Sequence, residues 1–217
     1  MYTFDHDLFL ALNFDGGETL DNVMLTISGT PMWIPLYLLI LWLVWRDYGW
    51  KKLLLFIVLL AAAMGLADIV AGIFKHSGLL GDLLPAFEPR WRPMFEPELE
   101  ALAITPDSLR VLREGALIAQ PDVHVPMEAL GGRFGTVSAH ASTVCSLCLL
   151  AVRVIRRRWF TILMVVSTIL ICYSRIYLAK HYPMDIFWGV LLGLLLGWIA
   201  AKIFAHYTKR RSRFAIR

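Results

Sequence analysis

Long uncharged apolar runs constrain what this chain can fold into more than any other feature. A helix that crosses a bilayer needs about 20 mostly apolar residues to span about 30 Å of hydrocarbon, with its backbone groups bonded inside the segment. Runs of that kind recur along the sequence. The first extends from Val23 to Val44 and contains Pro31 and Pro35, which a membrane helix tolerates, with Trp42, Trp45 and Tyr48 marking an interface. The second runs from Leu53 to Phe74 and is interrupted only by Asp68. Ala139 to Ile155 and Trp159 to Tyr173 follow, separated by the basic run Arg156, Arg157, Arg158, and Ile186 to Phe204 is the last. Composition agrees, since hydrophobic residues make up 58% of the chain and charged residues 18%. Soluble domains sit near about 45–50% and about 25%. The expectation is an all-α, polytopic integral membrane helical bundle of about five transmembrane helices, forming one domain over residues 1–217. Leu8, Phe9, Leu10 and Leu12 add an N-terminal interfacial helix lying along the membrane surface.

Lys and Arg stay on the cytoplasmic side of short loops, so their placement sets the orientation. Arg46, Lys51 and Lys52 lie between the first two segments. Arg153 and Arg156 to Arg158 lie between the third and fourth, and Lys209, Arg210, Arg211, Arg213 and Arg217 follow the fifth. The N-terminal stretch carries Asp5, Asp7, Asp15, Glu18 and Asp21 with no Lys or Arg before Arg46. The chain therefore reads N-out, C-in. No basic n-region opens it, so no cleaved signal peptide is expected. The formal charge of +4 gathers beside apolar segments, which suits a bilayer partner and not nucleic acid. The interval from Lys75 to Val137 falls on the outer face and, at that length, carries function or extra structure. Within it, Pro106 to Ile118 reads as a short amphipathic helix.

Three polar clusters converge on that outer face. Lys75 ends the second segment, with Arg92-Pro93 beyond it; Ser138-Ala139-His140 opens the third; Ser174-Arg175 ends the fourth, and His181 and Asp185 lead into the fifth. Guanidinium and ammonium groups bind phosphate oxygens by charge-assisted hydrogen bonds. Ser138 adds a hydroxyl, and as a helix cap it turns the free N–H groups of the next turn toward an anion. Such a cradle stabilises the charge that spreads over a phosphoryl group in flight. Catalysis further needs a nucleophile and a proton donor. His181 fits the first role, with Asp185 four residues on to accept one imidazole N–H and leave the other nitrogen free to attack. Pro183 disfavours helix at Tyr182, so this pair is expected in a turn that opens a helix. His140, protonated, fits the second role by donating to the leaving oxygen and then activating water.

These residues resemble the type 2 phosphatidic acid phosphatase superfamily. Its third signature element reads here Ser174-Arg175, Ile-Tyr-Leu-Ala-Lys, His181, Tyr-Pro-Met, Asp185, a full match. The second, Val137-Ser138-Ala139-His140, keeps the serine and histidine but not the family's proline and glycine. The first departs more, because Lys75 and Arg92 stand further apart than the family's lysine and Arg-Pro. Arg90 competes with Arg92, but only Arg92 precedes a proline. The resemblance implies phosphate binding by Lys75, Arg92, Ser138 and Arg175, a phosphohistidine at His181, acid and base work by His140, and no metal or cofactor. It also implies a bacterial inner-membrane protein whose site faces the periplasm or exterior. The substrates implied are lipid phosphates: undecaprenyl diphosphate, phosphatidylglycerophosphate, phosphatidic acid or lipid A. The same site would serve a lipid phosphotransferase, and a non-catalytic anion transporter is the reading from another class.

Outside these clusters the readings are plainer. Asp68 is either a proton or ion site, or an acid paired with a neighbour or bathed by a water-filled cavity. His76 and His124 are expected as solvated loop residues. Cys145 and Cys148, inside an apolar helix, are expected as packing groups.

Overall fold

The structure, a computed structural model, describes residues 2–75, 89–95, 122–132 and 134–212. The amphipathic helix expected over Pro106 to Ile118, together with His76, Arg213 and Arg217, lies outside the described residues. Those residues form α1 (Tyr2–Leu12), α2 (Gly17–Ser28), α3 (Ile34–Tyr48), α4 (Trp50–Ile73), α5 (Ala139–Ile155), α6 (Arg158–Tyr177) and α7 (Pro183–Ser212). The extended pairing among them is a single antiparallel bridge between Trp91 and Phe134. Local chemistry sets several boundaries. Gly49, at φ 77°, separates α3 from α4 and donates its N–H to Trp45 O at 2.7 Å. Ser138 caps α5 by accepting the Ala141 N–H at 3.3 Å, and Arg156 ends that helix in the left-handed region at φ 51°. Pro183 opens α7, where a missing N–H costs nothing.

Among the described residues, three helices are long and apolar enough to cross a membrane: α4, α6 and the Pro183–Thr208 part of α7. The first expected span is not one continuous helix. It begins earlier, at Gly17, and bends by 65° between α2 and α3, with a 3-10 turn over Thr30–Trp33. The cause is Pro31 and Pro35, which supply no N–H to the helical ladder, together with Gly29 in an extended conformation. Trp33 closes the break by donating its indole N–H to Ile27 O at 2.7 Å. Counting this bent pair as one span gives four. The remaining expected span, α5, is apolar but only 17 residues long, about 26 Å at the helical rise.

α5 is the hub, packed against α3, α4, α6 and α7. Its closest approach is to α7, where Gly189, Gly193 and Gly197 face the carbonyl oxygens of Ser138, Ser142 and Ser146. A Cβ at any of the three would fall inside 3.0 Å of those oxygens, so only glycine lets the backbones meet. Ser146 Oγ bridges the seam with a 3.1 Å hydrogen bond to Gly193 O. The outer faces of the bundle stay apolar and exposed, as at Val58, Ile69, Ile162, Ile169 and Leu195, which is what a lipid solvent asks of them.

The N-terminal helix is present but does more than lie on a surface. Phe9 of α1 is fully buried in a cluster with Met94, Leu130 and Ile176, and its ring meets Tyr182 edge-on. Asn13 continues the attachment, its side-chain amide donating to Tyr177 O at 2.8 Å and to His124 O at 3.0 Å.

Candidate active site

The glycine seam brings the N-terminal ends of α5 and α7 together, and the Ser138 N–H donates to Asp185 O at 3.0 Å. Between α6 and α7 the chain turns within five residues. Ala179 adopts φ 50°, a conformation that costs a non-glycine residue energy, and Arg175 O accepts both the Lys180 and His181 N–H groups at 3.0 and 3.2 Å. This turn delivers His181 to the interior, 1% exposed. Its Nδ1 lies 3.0 Å from Gly135 O, against 3.7 Å to Asp185 Oδ2. The expected carboxylate partner is therefore replaced by a carbonyl. A carbonyl only accepts, so Nδ1 carries the hydrogen and Nε2 keeps its lone pair. Asp185 Oδ2 instead accepts the Tyr182 N–H at 3.0 Å, closing the first turn of α7. Burial, then Arg175, Arg92 and Lys75, hold the imidazole well below the usual histidine range and hence neutral.

The cations converge on this ring. Arg175 is 4% exposed; its Nη1 donates to Ser28 Oγ, and its buried Nε has no partner among the described residues. A buried guanidinium with a donor to spare is poised for an anion. Arg92 is held from behind by the short segment around Gly131, donating Nη1 to Gly131 O and Nε to Phe134 O at 3.2 Å. Gly132 packs against the Arg92 guanidinium at φ 67°, a left-handed conformation that favours glycine. Lys75, just beyond α4, is within electrostatic reach of Arg92, Arg175, Asp68 and Asp185. Burial, reinforced by Arg92, pushes its ammonium down to about 8. His140, in the first turn of α5, is exposed and lies within electrostatic reach of Arg175, His181, Lys180 and Lys75. All seven residues expected from the sequence thus gather at one end of the bundle.

Gly135, Ser28 and Asp5 had no role at the site in that reading, and Arg90 entered it only as a competitor of Arg92. Gly135 supplies the carbonyl for His181, and a Cβ on it would lie 2.9 Å from Asp185 Oδ2. Ser28, at the break between α2 and α3, braces Arg175. Arg90 and Asp5 form a buried link: Arg90 Nη1 donates to Asp5 Oδ2, stands 3.9 Å from Asp185 Oδ1, and lies 3.5 Å over the Tyr182 ring. Asp5 Oδ1 in turn accepts the Met184 N–H at 2.9 Å. The acidic N-terminus was the only trace of this in the sequence. His124 is also corrected. It is not a solvated loop residue but contacts Asp21 Oδ1 through Nε2 at 2.8 Å, the same oxygen to which Tyr177 donates its hydroxyl at 2.6 Å. Cys145 and Cys148 are free thiols in the helix core.

A cavity of about 540 Å³ leads away from the site between α3, α4 and α5. His140, Ser28 and Thr30 line its upper part, and Ile40, Leu60 and Leu147 its lower part.

Fold and site together define a multi-pass membrane protein with a buried, cation-lined pocket around a neutral histidine. Residues 69–209 match the profile of the PAP2 superfamily, and the chain belongs to that superfamily of phosphatases. It is 27% identical over 197 residues to a lipid A 4'-phosphatase of Bacteroides thetaiotaomicron, covering 90% of this chain and 75% of the relative. It is 23% identical over 206 residues to a lipid A 4'-phosphatase of Porphyromonas gingivalis, covering 95% of this chain and 75% of the relative. Among solved structures it resembles Aquifex aeolicus LpxE, with a TM-score of 0.57 at 16% identity over 90% of this chain and 93% of that one. It likewise resembles a PAP2 type phosphatidylglycerolphosphate phosphatase from Bacillus subtilis, with a TM-score of 0.58 at 17% identity over 93% and 85%. At those identities the two structures speak to the fold.

Proposed function

We propose that this phosphatase removes a terminal phosphate from a lipid at the outer leaflet of the bacterial inner membrane, through a phosphohistidine at His181 and without a metal. Lipid A leads the candidate substrates because of the named relatives; undecaprenyl diphosphate, phosphatidylglycerophosphate and phosphatidic acid follow. The observation that carries the reading is the neutral, buried imidazole whose Nδ1–H is spent on Gly135 O beside Arg175, Arg92 and Lys75.

In the first step Lys75, Arg92, Arg175 and the Ser138 end of α5 bind the phosphate oxygens. His181 Nε2 attacks phosphorus in line, the bond to the leaving oxygen breaks, and His140 gives its proton to that oxygen. Asp185 offsets the cationic character that develops at His181. In the second step His140, now neutral, takes a proton from water as the water oxygen attacks the phosphohistidine. Inorganic phosphate departs and His181 returns to its neutral form. The cations act throughout on charge spread over the equatorial oxygens. The lipid chains stay in an apolar medium, between helices or in the bilayer.

Phosphate release from the four lipids, measured in detergent with EDTA beside His181→Ala, tests this. The expected outcome is release by the wild-type protein and a loss of at least about a thousandfold in the variant. Equal release by the variant contradicts the assigned nucleophile, and phosphate recovered on a second lipid makes the enzyme a transferase.

A further inference from the structure

We propose that Asp68 is a headgroup subsite that accepts hydrogen bonds from the part of the substrate next to the phosphate. The preferred lipid then carries its phosphate on a hydroxyl- or amide-bearing group such as a sugar, not on a diacylglycerol or a second phosphate. This rests on the lipid-phosphatase reading and adds which lipid.

The cavity touches the phosphate pocket at two points. His140 lines it directly, and Ser28 lines it while bonded to Arg175. Whatever is esterified to a bound phosphate therefore continues into this space. On the α4 side the wall is Ile57, Leu60, Met64 and Asp68, a single stripe at helical spacing. The deep end is apolar and suits a hydrocarbon chain. The upper end holds Asp68 with Ser28, Thr30, His140 and Thr143. The layer next to the phosphate is thus polar, and among the described residues that line it the acid is Asp68.

An acid inside a membrane span is costly unless donors or water meet it. Asp68 has no hydrogen bond or ion pair among the described residues, and its side chain is exposed to the cavity. Its electrostatic neighbour Lys75 lies just beyond the end of α4, among the phosphate-pocket cations Arg92 and Arg175. The oxygens of a carboxyl group accept hydrogen bonds, so a ligand that donates N–H or O–H groups suits it. Hydroxyl and amide N–H groups of a sugar headgroup do so. The glycerol esters of phosphatidic acid offer only acceptors, and the inner phosphate of a diphosphate would meet like charge.

The full-length protein in detergent is assayed on lipid A and on dioleoyl phosphatidic acid, and the ratio of the two kcat/KM values is the readout. Asp68→Leu is expected to cut that ratio by about tenfold or more, the loss of a hydrogen bond to a charged group, mainly through a higher KM for lipid A. Asp68→Asn, which keeps one acceptor oxygen and nearly the same shape, is expected to fall between. A ratio unchanged in both variants overturns the subsite, as does a parallel loss on both lipids, which would make Asp68 a partner of Lys75 alone. Should Asp68→Leu fail to elute as a folded protein, the Asn variant decides by the same ratio. Absence of release from every lipid by the wild-type protein would instead overturn the phosphatase reading on which the subsite depends.

Discussion

The hydrogen on His181 Nδ1 goes to the Gly135 carbonyl, 3.0 Å away, and that one bond sets which nitrogen is free to react. The Ser-Arg…His…Asp pattern made His181 legible in the sequence, because side-chain identities at fixed spacing survive in one dimension. The partner was not legible, since a backbone carbonyl has no side-chain signature and Gly135 is 46 positions away. The electrostatics of the pocket predict a pH profile. His181 is held well below its usual range, so it stays neutral and nucleophilic as pH falls, and the acid limb of kcat/KM lies below the ordinary histidine pKa of about 6.5. Lys75 is held down to about 8, so raising pH through that value removes a phosphate-binding charge and kcat/KM falls. Lys75→Arg keeps its charge, and the alkaline limb is expected to move upward. An unmoved limb would assign it to another group.

Among elements, the apolar runs and their order were readable because lipid demands long uncharged helices; the last four expected segments correspond to α4 to α7, although α7 continues past the expected end at Phe204 to Ser212. The break at Gly29 was not, because a proline in an apolar run is compatible with either a kinked span or two helices. Neither was the Gly189, Gly193, Gly197 seam, which acquires meaning only when the serine-rich face of α5 lies against it. Gly193→Ala is expected to cost about 1–3 kcal/mol by overpacking, read as a lower melting temperature, with a fall in kcat as α5 and α7 part. Gly65→Ala, where a Cβ meets nothing within 4 Å, is expected to be neutral or to gain about 0.5–1 kcal/mol, the usual helical preference for alanine. The acidic N-terminus was read for orientation only, yet Asp5 ties α1 to Arg90 and to the first turn of α7. Asp5→Ala strands the Arg90 charge and the Met184 N–H, and a loss of about 2–4 kcal/mol is expected in thermal unfolding. Retained stability and full activity would make α1 dispensable.

At the scale of the whole molecule, the bundle holds a charged pocket at one end and opens an apolar cavity from it toward the membrane interior. That arrangement suits a substrate with an anionic head and hydrocarbon chains. Which residues meet was legible in the sequence because six of the seven lie at or beside the ends of apolar segments that the expected orientation puts on one side, and Arg92 lies in the long interval on that same side. A cavity beside Asp68 was one of the alternatives the sequence offered, but its extent was not legible, since residues of the bend between α2 and α3 line it together with α4 and α5. The central claim is covalent chemistry at His181, and trapping tests it most directly. Wild-type protein mixed with lipid A is quenched in alkali, which preserves phosphohistidine, and digested for mass spectrometry. One phosphoryl group on the peptide containing His181, absent from His181→Ala, is the predicted result. Turnover with no phosphorylated peptide, or a phosphoryl group on another residue, would contradict the account.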